Sequence, residues 1–155
     1  MILISKSPRE TQKIAADLAH KIIKTKKGAI IALEGELGAG KTTFIKGFSK
    51  ALGIKSKIKS PTFVLMKKYK VPGHGAKVPV RSREISVGTN LYHLDCYRVR
   101  NEKDLRISEL DDIFKESHNI VLIEWAERVR EILPKKHIKI HIDHINKNTR
   151  KISIK

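Results

Sequence analysis

Eight consecutive residues, Gly35-Glu36-Leu37-Gly38-Ala39-Gly40-Lys41-Thr42, carry the most specific chemistry in this chain. They fill every fixed position of the pattern G-x-x-x-x-G-K-[ST]. Glycines let the backbone curl so that successive N–H groups point at one anion. A helix N-terminus behind them adds partial positive charge. Lys41 is a point charge with the reach to meet the β- and γ-phosphates of a nucleotide, and Thr42 offers a hydroxyl to Mg²⁺. Ala39 and Thr43 complete the surroundings of the phosphates. At ordinary glycine abundance a chance match in a chain of this length is on the order of one in a hundred or less. The alternative is a glycine-rich turn with a threonine capping a helix.

A phosphate cradle binds nucleotide; hydrolysis also needs a metal held from a second side and a positioned water. Two acids qualify. Asp95 lies in Leu91-Tyr92-His93-Leu94-Asp95-Cys96-Tyr97-Arg98, and Glu124 ends the apolar run Ile120-Val121-Leu122-Ile123. Ligands of open α/β sheets sit at such carboxyl ends. Asp95 can instead be a structural acid paired with Arg98 or His93, and Glu124 a surface acid opening a helix. Trp125 reads equally as a lid beside the nucleotide and as core packing. Ser60 and Thr62, in Ser60-Pro61-Thr62-Phe63, stand where a switch segment would touch the γ-phosphate, or form a capped turn before a strand. His93 reads as a hydrogen-bonded strand histidine rather than a ligand, because seven histidines and one cysteine show no zinc-like spacing.

These residues need elements to carry them. Residues 1–4 suggest a short strand. Ser7, Pro8 and Glu10 combine a cap, a first-turn proline and a capping-box acid. Ile14, Ala15, Leu18, Ala19 and Ile22 follow at helical spacing. After Gly28 the unbroken apolar run to residue 34 suits a strand covered on both faces. A helix should run from Lys41 to Leu52 and end at Gly53. Residues 62–70 predict a strand, 71–89 a flexible basic loop, and 89–99 an alternating strand. A helix is expected over 102–117, a buried parallel strand over 119–125, and a short helix before Pro134. Residues 136–142 and 150–155 suggest an antiparallel pair. The class is α/β: one domain over 1–155 with a mixed sheet, antiparallel at 62–70, 89–98 and the C-terminus.

The 155 residues can bury a core without disulfides, which the lone Cys96 cannot form internally. No apolar run approaches the ~20 residues of a membrane span, and a cytoplasmic location is expected. Thirty-three Lys and Arg against 16 acids give a net charge of +17, densest at 55–83, which favours polyanionic partners.

Four motifs, in order, resemble the TsaE family, small P-loop ATPases of bacterial tRNA threonylcarbamoyladenosine biosynthesis: "GELGAGKTTF", "SPTFVL", "YHLDCYR" and "IEWAER". The resemblance covers nearly the whole chain. It implies ATP and Mg²⁺ as cofactors and the TsaD–TsaB complex as partner, which transfers a threonylcarbamoyl group to adenosine 37 of tRNA. Hydrolysis by the family member is thought to reset that complex. Carried over by motif, Lys41 and Thr42 keep phosphate and metal roles, Asp95 and Glu124 match the acids near metal and water, Thr62 matches the switch threonine, Thr11 a position near the nucleotide, and Trp125 the tryptophan beside the site. Three features depart from the pattern: a longer basic loop at 71–89, no glycine within 104–118, and Glu36 where the family often has Asp. The loop also offers a route to tRNA contact. A P-loop small-molecule kinase with lid arginines Arg81 and Arg83, and a non-catalytic tRNA-binding module, are the competing readings.

Overall fold

The computed structural model describes residues 1–61, 65–72, 89–100 and 104–155. Seven strands form one sheet in the order β1-β7-β6-β2-β5-β4-β3. They are β1 (Ile2–Ser5), β2 (Ala29–Glu34), β3 (Met66–Lys70), β4 (Asn90–Asp95), β5 (Ile120–Glu124), β6 (Ile138–His144) and β7 (Arg150–Ile154). The four central strands β6, β2, β5 and β4 run parallel. The pairs β3–β4, β6–β7 and β1–β7 are antiparallel and close both ends. The mixed α/β sheet therefore matches the expectation. One detail differs: the 89–98 strand is antiparallel only to β3 and runs parallel to β5. Period-two alternation identifies the faces of a strand, not the direction of its neighbour.

Among the described residues three helices flank the sheet: α1 (Pro8–Lys24), α2 (Lys41–Ala51) and α3 (Ile107–Lys115). The α1 start follows its sequence signals. Ser7 Oγ accepts from Glu10 N at 3.1 Å, and Glu10 Oε2 accepts from Lys6 N at 2.6 Å. Gly53, just past α2, has the left-handed φ of 79° that ends helices. The helix expected over 102–117 is shorter, because its first described turn starts at 107 and Glu116 is already extended. The short helix before Pro134 is two 3₁₀ turns, Ala126–Arg128 and Arg130–Ile132.

Strand parity sorts the core into two layers. Ile31, Leu33, Leu91, Leu122, Ile140 and Ile142 pack against α1 and α2 with Phe44 and Phe48. Ala32, Tyr92, Leu94, Val121 and Ile123 pack against α3 and the 3₁₀ turns with Leu110, Ile113 and Val129. His93 and Asp95 share parity with Leu91, and Glu124 shares it with Leu122, so all three face the α1–α2 layer. That layer is closed at Gly47, where a Cβ would fall inside the backbone of Gln12.

Gly47→Ala should therefore destabilise the fold by about 1–3 kcal/mol through overpacking, although alanine is the better helix former. Urea unfolding measures this, and a gain in midpoint would contradict the close approach.

Candidate functional site

The phosphate-loop residues connect β2 to α2, as the motif requires. Gly35, Gly38 and Gly40 have φ of 136°, 77° and 111°, which side-chain-bearing residues rarely adopt. Gly35 has a second constraint, since a Cβ there would collide with the Ile142 carbonyl of β6. Arg150 braces the loop from β7, with Nε donating to the Ala39 carbonyl at 3.0 Å.

At the carboxyl ends of the sheet, Asp95 and Glu124 are register partners on β4 and β5, and Glu124 is in turn paired with Leu33 of β2. Both acids are buried. Thr42 Oγ1, in the first turn of α2, donates to Glu124 Oε2 at 2.8 Å. Ser60 Oγ donates to Asp95 Oδ2, and Tyr97 N donates to Asp95 Oδ1 at 3.0 Å. A cavity of about 420 Å³ collects these groups with Gly38, Gly40, Lys41, Thr43 and Trp125 on its walls. Its oxygen donors, the Thr42 hydroxyl and two carboxylates, suit a hard divalent cation that shares its ligands with phosphate oxygens. Among the described residues no group of three or more His, Cys, Asp and Glu side chains is placed to hold a metal ion unaided.

Lys41 does not point into open space. Its ammonium is buried and donates to the carbonyls of Gly35 at 2.5 Å and Glu36 at 3.0 Å, and it lies 3.6 Å from the centre of the Trp125 ring. Burial pulls its pKa below the ordinary lysine value, against the opposing charges of Glu124, Glu127 and Asp95. Trp125 reaches this position from a left-handed backbone, φ 60° and ψ 40°. Such a conformation costs a non-glycine residue about 1–3 kcal/mol and is typical of functional sites. Tyr97 supports the indole, with ring centres 5.0 Å apart. Trp125 also borders a second cavity, about 400 Å³, reached from the other side of the loop past Glu34, Gly35, Glu127 and Arg130.

Most residues singled out from the sequence thus converge. Lys41, Thr42, Asp95, Glu124 and Trp125 meet in one cavity, with Gly38, Gly40 and Thr43 lining it; Ala39 is buried beneath the loop. Thr11 is placed differently: it is buried, its hydroxyl 2.8 Å from Ser5 Oγ, and it lines neither cavity. Thr62 and nearly all of the 71–89 loop lie outside the described residues. Sequence reasoning missed the partner of His93. Its Nε2 lies 2.8 Å from Glu124 Oε1, while Nδ1 is buried without a partner among the described residues. A proton on Nδ1 would be an orphaned buried donor, so the proton belongs on Nε2 and is donated to Glu124. The i, i+2 spacing of His93 and Asp95 was the available signal that both share the acid's face.

A family model described as "Threonylcarbamoyl adenosine biosynthesis protein TsaE" matches residues 5–152. The "tRNA threonylcarbamoyladenosine biosynthesis protein TsaE" of Bacillus subtilis is 36% identical over 148 residues, 95% of this chain and 80% of the relative. That of Treponema pallidum is 30% identical over 155 residues, 99% of each. That of Haemophilus influenzae is 33% identical over 120 residues, 77% of this chain and 66% of the relative. Among solved structures, the crystal structure of Bacillus subtilis YdiB is similar with a TM-score of 0.72 and 32% identity, covering 99% of this chain and 83% of that one.

His93→Ala should destabilise the protein by about 2–4 kcal/mol, by opening a cavity and leaving a buried carboxylate with one donor fewer. His93→Gln, whose amide N–H can replace Nε2, should recover much of that loss in urea unfolding. Equal losses would assign His93 to packing alone.

Glu34, at the end of β2, tests the electrostatics of the loop's other flank. Although burial opposes it, Lys139 at 2.8 Å and Arg130 at 3.2 Å hold its pKa below the usual carboxylate value. A depressed carboxylate contributes stability that is complete above its unfolded pKa and is lost as pH falls through the folded one. Stability of the native chain should therefore drop below about pH 4.5 more steeply than that of Glu34→Gln. Thermal melts across pH 3–6 check the difference, and parallel curves would refute it.

Proposed function

The chain belongs to the TsaE family, and from that premise we propose that it is a Mg²⁺-dependent ATPase serving tRNA threonylcarbamoyladenosine biosynthesis with the TsaD–TsaB complex. The observation that carries this reading is the meeting of Lys41, Thr42, Asp95 and Glu124 in one cavity at the mouth of a glycine-curled loop. The names of the relatives supply the pathway.

In this reading the backbone amides of 38–42 and the start of α2 receive the β- and γ-phosphates. Lys41 exchanges the Gly35 and Glu36 carbonyls for phosphate oxygens, a better match for a partly desolvated ammonium than two neutral acceptors. Thr42 with Asp95 and Glu124 would hold Mg²⁺, which when bound neutralises charge on the phosphate oxygens. The two carboxylates divide two tasks, anchoring the cation and orienting the attacking water. Glu124 is suited to orientation because His93 immobilises one of its oxygens. Trp125, stacked on Lys41, shields the pocket from bulk water until the ammonium moves. Turnover by the isolated chain is expected to be slow, as in P-loop enzymes whose transition-state charge is stabilised by an incomplete set of groups, and faster with the partner complex.

Lys41→Ala should abolish ATP binding in calorimetry. Glu124→Ala should retain binding and lose about 10²–10³-fold in phosphate release, the usual cost of one preorganised catalytic group. Unchanged turnover in both variants would reject the site.

A further inference from the structure

We propose that the outer face of the α1–α2 layer is a binding surface for the phosphate backbone of a folded RNA. The charge of this chain is segregated. Residues 13–59 hold eleven Lys and Arg against three acids, net +8, and residues 60–103 nine against three, net +6, whereas residues 104–155 hold eleven against nine, net +2. A uniformly basic protein would not divide in this way.

The basic residues of 13–59 fall mainly on one layer and the segment that leaves it. In α1, Lys13, Lys21 and Lys24 are exposed and, at 100° per residue, fall within one quadrant of the helix. In α2 the exposed residues are Lys46 and Lys50, one turn apart. The two helices are held side by side by the Gly47–Gln12 approach. Lys26 and Lys27 follow α1 and share a small cleft with Leu52 at the end of α2. Lys55, Lys57 and Lys59 are exposed in the segment beyond. Of the acids in these helices, Glu10 is consumed by the α1 cap, leaving Asp17. None of these ten lysines forms an ion pair among the described residues; Lys115, Lys135, Lys136 and Lys147 form none either, so it is the clustering on adjacent helices that marks this face.

Helix energetics accounts for only part of this. Lys21, Lys24 and Lys50 lie in last turns, where the helix dipole favours cations. The other seven have no such reason, and mutual repulsion opposes them.

The chemistry of the face selects its partner. It presents ammonium groups and no exposed aromatic ring; Phe44 and Phe48 are buried beneath it. That set neutralises phosphates and cannot stack on bases, so contact would be with the backbone. A helix lying on a lipid surface needs an apolar face to insert, and here the apolar faces are spent on the core. RNA rather than lipid follows from this. The identity of that RNA as tRNA rests on the pathway reading above, whereas the surface itself does not depend on ATP hydrolysis.

The test is fluorescence anisotropy with a labelled, unmodified tRNA transcript and the full chain, over a series of salt concentrations. One variant carries Lys13→Gln, Lys24→Gln, Lys46→Gln and Lys50→Gln. A control removes the same charge elsewhere with Lys115→Gln, Lys135→Gln, Lys136→Gln and Lys147→Gln. The first should weaken binding by about tenfold or more and flatten the log–log salt slope by roughly three units, since each of the four lost phosphate contacts removes about 0.7–0.9. The control should change affinity less than about twofold, and ATP turnover should be unaffected in both. Equal losses in the two variants would overturn the proposal in favour of diffuse charge. So would absence of binding by the native chain at about 0.1 M salt, or tighter binding to phosphatidylserine vesicles than to tRNA. Binding through this face by a chain that turned over no ATP would sink the hydrolysis reading alone.

Discussion

Two carboxylates paired in register on adjacent parallel strands are the constraint around which the rest is arranged. Asp95 and Glu124 sit opposite one another on β4 and β5, on the same face and both buried. Neighbouring strands are about 4.8 Å apart, so two anions are held close together in a low dielectric. Such a pair is tolerated only with donors on every side. Thr42 and His93 donate to Glu124, Ser60 and the Tyr97 amide to Asp95, and the Lys41 ammonium adds its field. Each donor comes from a different element or turn. The acids therefore require α2, the segment before β3 and the β4 exit to be placed together.

The loop answers the same requirement from the opposite side. Its three positive-φ glycines curl the backbone, and Lys41 satisfies the carbonyls of Gly35 and Glu36. The ammonium is thereby stored near the site at a reduced pKa and is capped by a strained Trp125. The strain and the cation–π contact offset one another in the same place, so an anion that withdraws the lysine also changes what holds the indole. Trp125 borders cavities on both sides of the loop.

Charge is distributed by the same economy. The acids Glu34, Asp95 and Glu124 at the carboxyl ends of the strands have cationic or hydroxyl partners. Exposed lysines without ion-pair partners among the described residues line α1, α2 and the segment after them, and others stand at Lys115, Lys135, Lys136 and Lys147. The fold so separates a buried pair of carboxylates from an outward face rich in lysines.

The local features of this protein are written in its sequence: the glycine spacing of 35–40, the cap at Ser7, the Gly53 stop, and the two-face apolar pattern of β2 and β5. Each depends on residues a few positions apart, so propensity and sterics suffice. Asp95 and Glu124 could be singled out from the sequence, Asp95 as an acid on an alternating strand and Glu124 because it closes an apolar run. What tertiary structure alone decided is long-range. It set β4 parallel to β5, gave His93 to Glu124 rather than to Asp95, brought Arg150 from β7 to brace Ala39, and buried Thr11 against Ser5. Alternation within a strand is identical whichever way its neighbour runs. Which side chains meet across 31 or 111 residues is chosen only when the sheet order is closed and the core packed.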